Sequence, residues 1–300
     1  MVRGPRRPAA LRSGMTPYWN ALKQAVLDFF NDRGFVWAAA LAFYAALSFA
    51  PLVMLTLYAT AQLGPDVQAR VVEQFGDLLG GAAGDTLGEI IDNAEKRETS
   101  GFWATIVSVG VLIFSASGVF GQLQAALNAI WDVRAKPGNS ILAFLRSRLL
   151  SLGMIGSLLF LLLLSLGASA VLNAVLGGFG LAWVVNQAVT LGVYLLLFAA
   201  MYKLLPDVRL TWRDTLISAA VTAVLFAVGK AGIGLYLGRA AVGSSYGAAG
   251  SLMALLVWVY YASVVVLFGA ELSQSLFAEF DKRIKPSKHA ERVPEQAAAI

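Results

Sequence analysis

Few side chains in this sequence stand where chemistry could be done, and most of those lie inside apolar runs. Phe35–Leu63 carries no charged residue, yet it contains Tyr44, Ser48 and Pro51. Ser48 and Tyr44 lie one and two helical turns before Pro51, so the three share one helix face. Proline has no N–H, so the carbonyl of Leu47 loses its helical partner. In hydrocarbon that carbonyl needs another donor or a protein-lined space. The face therefore reads either as a packed helix kink or as the wall of a polar path. Two ions lie in other apolar runs. Lys230 stands about 25 Å along a helix from Arg213, and Glu271 about 30 Å along one from Ser251. They should therefore sit at different depths and not pair. Lys230 reads as a snorkelling lysine or as the lining of an outward polar cavity. Glu271 reads as a helix-end ion pair with Arg146 or Arg148, or as a gating or proton-coupled carboxylate. Trp258, Tyr260 and Tyr261 lie too deep in their run for an interfacial belt, and tyrosine hydroxyls there need partners.

The elements that must position these groups are membrane helices. Of 300 residues, 58% are hydrophobic and 14% charged, against about 25% charged in a soluble domain. Mean hydropathy is +0.69. There is no cysteine and one histidine, His289. That removes disulfides, thiolate nucleophiles and cysteine-based metal sites. The eight acids among residues 66–100 lack the DxDxDG spacing of a calcium loop, and the Gly-rich stretch 238–250 lacks the Gly-Lys-Ser/Thr ending of a phosphate loop. The expectation is no cofactor, no metal and no enzyme activity. No Ser–His dyad, HExxH or paired aspartates occur in the apolar runs.

In chain order, residues 1–15 read as a disordered basic tail. After Thr16-Pro17 as cap and first helical residue, Tyr18–Phe30 reads as an amphipathic helix lying along the membrane face, with Trp19 near the headgroups, broken at Asn31–Gly34. Six crossings follow: Phe35–Leu63, Phe102–Phe120 (continuing towards Trp131), Leu149–Leu176, Leu181–Leu205, Thr215–Leu237 and Ser251–Glu271. Each is long enough to span, or nearly span, the ~30 Å hydrocarbon core. Residues 64–101 read as a short helical acidic cap outside the membrane, and 281–300 as a second disordered tail. The fold class is all-α, a single polytopic membrane domain over 16–280. Lys and Arg crowd the segments on one side: Arg3 to Arg33, Arg134 to Arg148, Lys203 to Arg213 and Lys282 to Arg292. The other side holds Arg70, Lys96, Arg97 and Arg239. By the positive-inside rule both termini are cytoplasmic.

ALAFYAALSFAP, QLQAALNAIWDV, LLPDVRLTWRD and SYGAAGSLMALLVWVYYASVVVLFGAEL stand in this order. Together they resemble the YihY/BrkB family of bacterial inner-membrane proteins from about residue 20 to about residue 280. The resemblance implies six helices and an inner-membrane location, with members variously described as ribonuclease BN, virulence or serum-resistance factors, or transporters. By motif position it singles out Tyr44, Ser48, Pro51, Asn128, Tyr246, Trp258, Tyr260, Gly269 and Glu271. The ribonuclease label fails on chemistry, because His289 alone supplies no metal or general-base cluster. Nucleic acid is not an expected partner, since no soluble basic domain interleaved with aromatics exists. What remains is a transporter or exporter of a polar, amphipathic or lipid-linked solute through a cavity among the first, fifth and sixth helices. The alternative is a non-transporting scaffold for envelope integrity or virulence. Membrane lipids, an unidentified solute, and a second copy or an envelope partner at the acidic cap are the expected partners.

Overall fold

A computed structural model describes residues 16–61, 73, 110, 118–136, 182–239, 250–280, 282 and 284–293. Within them, the apolar runs form helices. We label these α1 (Thr16–Asn31), α2 (Gly34–Ala61), α3 (described over 118–130), α4 (Ala182–Leu204), α5 (Trp212–Arg239) and α6 (Gly250–Glu279). Three described stretches are long and apolar enough to cross a membrane: Gln187–Leu204, Trp212–Ile233 and Leu255–Glu279. They fall on the expected fourth, fifth and sixth crossings. α2 is a further 28-residue helix without a charge, and it continues through Pro51. The expected acidic cap apart from Glu73, most of the second crossing, the third crossing, Tyr246, Arg146 and Arg148 lie outside the described residues.

Helix ends follow local chemistry. Thr211 caps the start of α5: its hydroxyl accepts from the Asp214 N–H (3.3 Å) and donates to the Asp214 carboxylate (2.7 Å). α4 stops before Pro206, where no N–H is available to continue it. Between α1 and α2 the chain turns at Arg33, whose φ is 57°.

α6 is the central element, packing on α1, α2 and α5, while α4 packs on α5. Its 30 residues rise about 45 Å, more than the ~30 Å of hydrocarbon. The helix therefore runs on past the crossing expected to end near Glu271, to Glu279. α1 lies antiparallel along that extension. Tyr18 meets Phe280 edge-on at 5.6 Å, Asn20 donates to Glu279 (3.5 Å), and Phe29 meets Phe268 at 5.7 Å. The expected amphipathic helix is present, and one of its faces packs along α6. α1 buries Ala21, Ala25, Asp28 and Phe29, while Trp19, Val26, Leu27 and Phe30 stay exposed.

The described residues are mostly helical, as expected, with one small addition. Among the described residues four short strands occur: β1 (Val133–Ala135), β2 (Val208–Arg209), β3 (Lys285–Pro286) and β4 (Ala290–Arg292). β1 pairs antiparallel with β4, setting Val133 against Arg292, Arg134 against Glu291 and Ala135 against Ala290. β2 pairs antiparallel with β3, setting Val208 against Pro286 and Arg209 against Lys285. Residues 284–293, expected as part of a disordered tail, are thus tied to the ends of α3 and α4. Backbone bonds extend both ladders: Lys136 N–H to His289 O (2.9 Å), Ser287 N–H to Asp207 O (2.8 Å) and Val293 N–H to Asp132 O (3.0 Å).

Candidate functional site

Two polar assemblies emerge from this packing. The first lies at the helix ends. Asn128, on the last turn of α3, clamps Asp207 from both sides of its amide. Its Nδ2 donates to the Asp207 carboxylate at 2.9 Å, and its Oδ1 accepts from the Asp207 N–H at 2.7 Å. Gln124, one turn earlier, adds a longer bond at 3.4 Å. Gln274 of α6 reaches Asp132 at 3.2 Å. Asp132 holds φ 52°, a left-handed conformation that Asp tolerates better than most residues, and so turns the chain from α3 into β1. The buried Asp214 pairs with Lys282. A carboxylate out of water is tolerable only when paired and hydrogen-bonded, and Lys282 and Thr211 supply that partnership.

The second assembly is the seam among α4, α5 and α6. Asp214, Ser218 and Thr222 follow at four-residue spacing, so they share one face of α5, and all are buried. Tyr202 of α4 donates to Val266 O of α6 (2.7 Å) and lies 2.8 Å from the Thr222 hydroxyl, which in turn lies 3.0 Å from Ser218 O. Two hydroxyl hydrogens serve three contacts, so Thr222 donates either to Ser218 O or to Tyr202. Gly269 makes this approach feasible, since a Cβ there would stand 2.0 Å from the Thr222 hydroxyl. Gly229 plays the same part for Tyr261, whose hydroxyl occupies the space of the missing Cβ. On α6, Glu271 is fully buried and is followed by buried Ser273, Gln274 and Ser275. The Ser273 hydroxyl donates to Gly269 O (2.7 Å).

The residues marked from the sequence disperse between these assemblies and α2. Tyr44 is partly exposed; its ring packs on Gly118 of α3 and edge-on to Phe43. The Ser48 hydroxyl closes on its own helix, at Ala45 O (2.9 Å). Pro51 lies within α2. Asn128 belongs to the helix-end clamp. Trp258 is buried edge-on to Phe226 at 6.0 Å, in an aromatic cluster with Tyr194 and Phe198. Tyr260 and Lys230 are half-buried on α6 and α5. The contacts of Tyr44 thus run to α3 and those of Trp258 to α5. Tyr202, Thr222 and Asp207 were not marked from the sequence. A tyrosine inside the apolar run FAAMYKLL was the available signal, because its hydroxyl needs a partner at that depth. Asp207 carries none, since its partner lies 79 residues away. Among the described residues, no group of three or more His, Cys, Asp or Glu is placed to hold a metal ion.

Long apolar helices, a seam closed by hydroxyls and carboxylates gathered at the helix ends define a helical membrane protein. The profile of the family described as Virulence factor BrkB matches residues 25–294, and the chain belongs to that family. It is similar to a UPF0761 membrane protein of Photobacterium profundum, 28% identical over 287 residues, covering 88% of this chain and 85% of the relative. A UPF0761 membrane protein of Aliivibrio salmonicida is 27% identical over 86% of this chain and 83% of its own length. One from Yersinia pestis is 29% identical over 72% and 71%. No solved structure matches.

Proposed function

We propose that this is a bacterial inner-membrane transporter or exporter of a polar or amphipathic solute, non-enzymatic, with six crossings and both termini cytoplasmic. The polar path of this reading follows the α5–α6 seam rather than the Tyr44 face of α2. One observation carries it: Glu271 is fully buried in a helix segment apolar enough to span. An ionisable side chain inside a span is costly and marks ion or substrate pathways. The buried Asp214, Ser218 and Thr222 face on the helix packed beside it supports the same reading.

The absence of native cysteine makes the test direct. Single cysteines at Ser218, Thr222 and Ser275 are exposed to a membrane-impermeant, cationic methanethiosulfonate applied from either side of the membrane. Transport predicts labelling at one or more of them, and Glu271→Gln should change which side reaches them while the protein still assembles. Labelling from neither side, in wild type and variant alike, sinks the transport reading. It would favour a non-transporting scaffold, which the close contacts at Gly269 and Gly229 and the family's description as a virulence factor support.

A further inference from the structure

The two strand ladders at the helix ends treat charge in opposite ways. In the β1–β4 ladder Arg134 stands opposite Glu291 and bonds it at 2.8 Å. In the β2–β3 ladder Arg209 stands opposite Lys285. Residues directly opposed in an antiparallel pair project to the same face, with Cβ atoms about 5 Å apart, and like charges there repel. Both side chains are exposed. Among the described residues, the carboxylates of the α4–α5 turn are engaged elsewhere: Asp207 by Asn128, and Asp214 by Lys282 and Thr211. A positive-inside bias asks only for basic residues in the loop; it does not ask for two to be set face to face in a two-pair ladder.

The level of this pair relative to the bilayer is marked by its neighbours. Trp212 opens both α5 and the apolar span Trp212–Ile233, and it is 66% exposed. The Lys203 ammonium lies over its ring at 5.0 Å. An exposed tryptophan at the end of an apolar span belongs at headgroup depth. Arg213, also exposed, is the next residue. Arg209 therefore stands three residues from the headgroup marker, with Lys285 across the ladder from it.

We propose that Arg209 and Lys285, with Arg213 and Lys203 beside them, form a binding surface for the phosphate of an anionic phospholipid headgroup. A phosphodiester lying between the two cations accepts charge-assisted hydrogen bonds from both and turns a repulsive pair into a bridged one. The lipid would then fasten the tail strand β3 to the α4–α5 turn. The proposal needs only the membrane location, not transport.

The test uses full-length protein in nanodiscs of phosphatidylcholine alone or with phosphatidylglycerol, read by thermal unfolding. Wild type should gain at least about 3 °C from phosphatidylglycerol and lose that gain in high salt. Arg209→Glu replaces the repulsive pair by an attractive one. It should match or exceed wild type in phosphatidylcholine and lose the phosphatidylglycerol gain. Lys285→Gln should also lose the gain, and serves if Arg209→Glu does not fold. Arg134→Ala, on the other ladder, should keep it. The proposal is overturned if wild type shows no gain, if both Arg209→Glu and Lys285→Gln retain it, or if inorganic phosphate in phosphatidylcholine nanodiscs stabilises as well as the lipid does.

Discussion

The α4–α5–α6 seam and the strand-braced helix ends both hold polar groups away from water, by different chemistry. In the seam the closing groups are neutral hydroxyls of Tyr202, Thr222 and Ser273, each reaching a main-chain carbonyl at 2.7–3.0 Å. At the ends, carboxylates of Asp207, Asp214 and Asp132 are closed by amides and an ammonium. The difference follows from desolvation. A hydroxyl loses modest hydration and recovers it with one bond, whereas an ion loses far more and needs several partners. Ions are affordable where strands and loops can bring donors in. Glu271 breaks the pattern by placing a carboxylate among the seam's hydroxyls, which is why it carries the functional reading.

The seam depends on close approach, so its sharpest test is a side chain at Gly269. Gly269→Leu should leave little folded protein, a loss of more than about 3 kcal/mol, read as the monodisperse fraction by fluorescence-detected size exclusion. Even Gly269→Ala should be damaging, because the atom it meets belongs to a hydroxyl already held between Tyr202 and Ser218 O. Gly192→Ala on α4, where a Cβ meets nothing within 4 Å, should be neutral or stabilise by about 0.5–1 kcal/mol. Equal effects at the two glycines would mean that the seam is not close-packed.

The helix-end clamp makes the next largest prediction. Asn128→Asp removes the donor to Asp207 and sets two carboxylates together, at a cost of about 2–4 kcal/mol. The exchanged pair Asn128→Asp with Asp207→Asn restores a donor and an acceptor, and should recover most of that loss in thermal unfolding. Failure to recover would show that Asp207 is held by its neighbours and not by Asn128. Tyr202→Phe ranks below. It deletes one bond to Val266 O but leaves Thr222 its carbonyl at Ser218, so about 1–2 kcal/mol is expected. A cost above that range would mean the hydroxyl holds more than the two contacts described.

How far the sequence foretold these regions depends on the range of the interactions. α4, α5 and α6 were legible to within a few residues at most ends, because apolar length and a local capping pair such as Thr211–Asp214 determine them. The helix of the sixth crossing runs past Glu271, because the polar residues Glu271, Ser273, Gln274 and Ser275 resemble a helix exit but are buried. Asn128 and Gly269 were singled out only by motif position; their contacts, 79 and 47 residues distant in sequence, leave no periodic signal. The strands were missed for a related reason. A two- or three-residue strand has no pattern of its own, and Lys285–Pro286 joins a ladder only because the α4–α5 turn presents an edge to it. Helical spacing places Tyr44, Ser48 and Pro51 on one face, but which neighbour that face meets is a tertiary fact.

The smallest effect separates the brace from its decoration. Arg134 and Glu291 form an ion pair at 2.8 Å, with side chains 52% and 37% exposed. Exposed pairs contribute about 0–1 kcal/mol, because water already solvates both ions and ordering them costs entropy. Arg134→Ala should therefore cost at most about 0.5 kcal/mol in thermal unfolding, and that difference should vanish in high salt. The ladder itself is held by main-chain bonds at Lys136 and Val293, which the substitution leaves intact. A loss well beyond 1 kcal/mol would show that the pair is shielded from water in the assembled membrane protein. In that case the helix ends would rely on buried charge at the surface ladder as well as at Asp207 and Asp214, and the contrast with the hydroxyl-closed seam would be wider than the exposures imply.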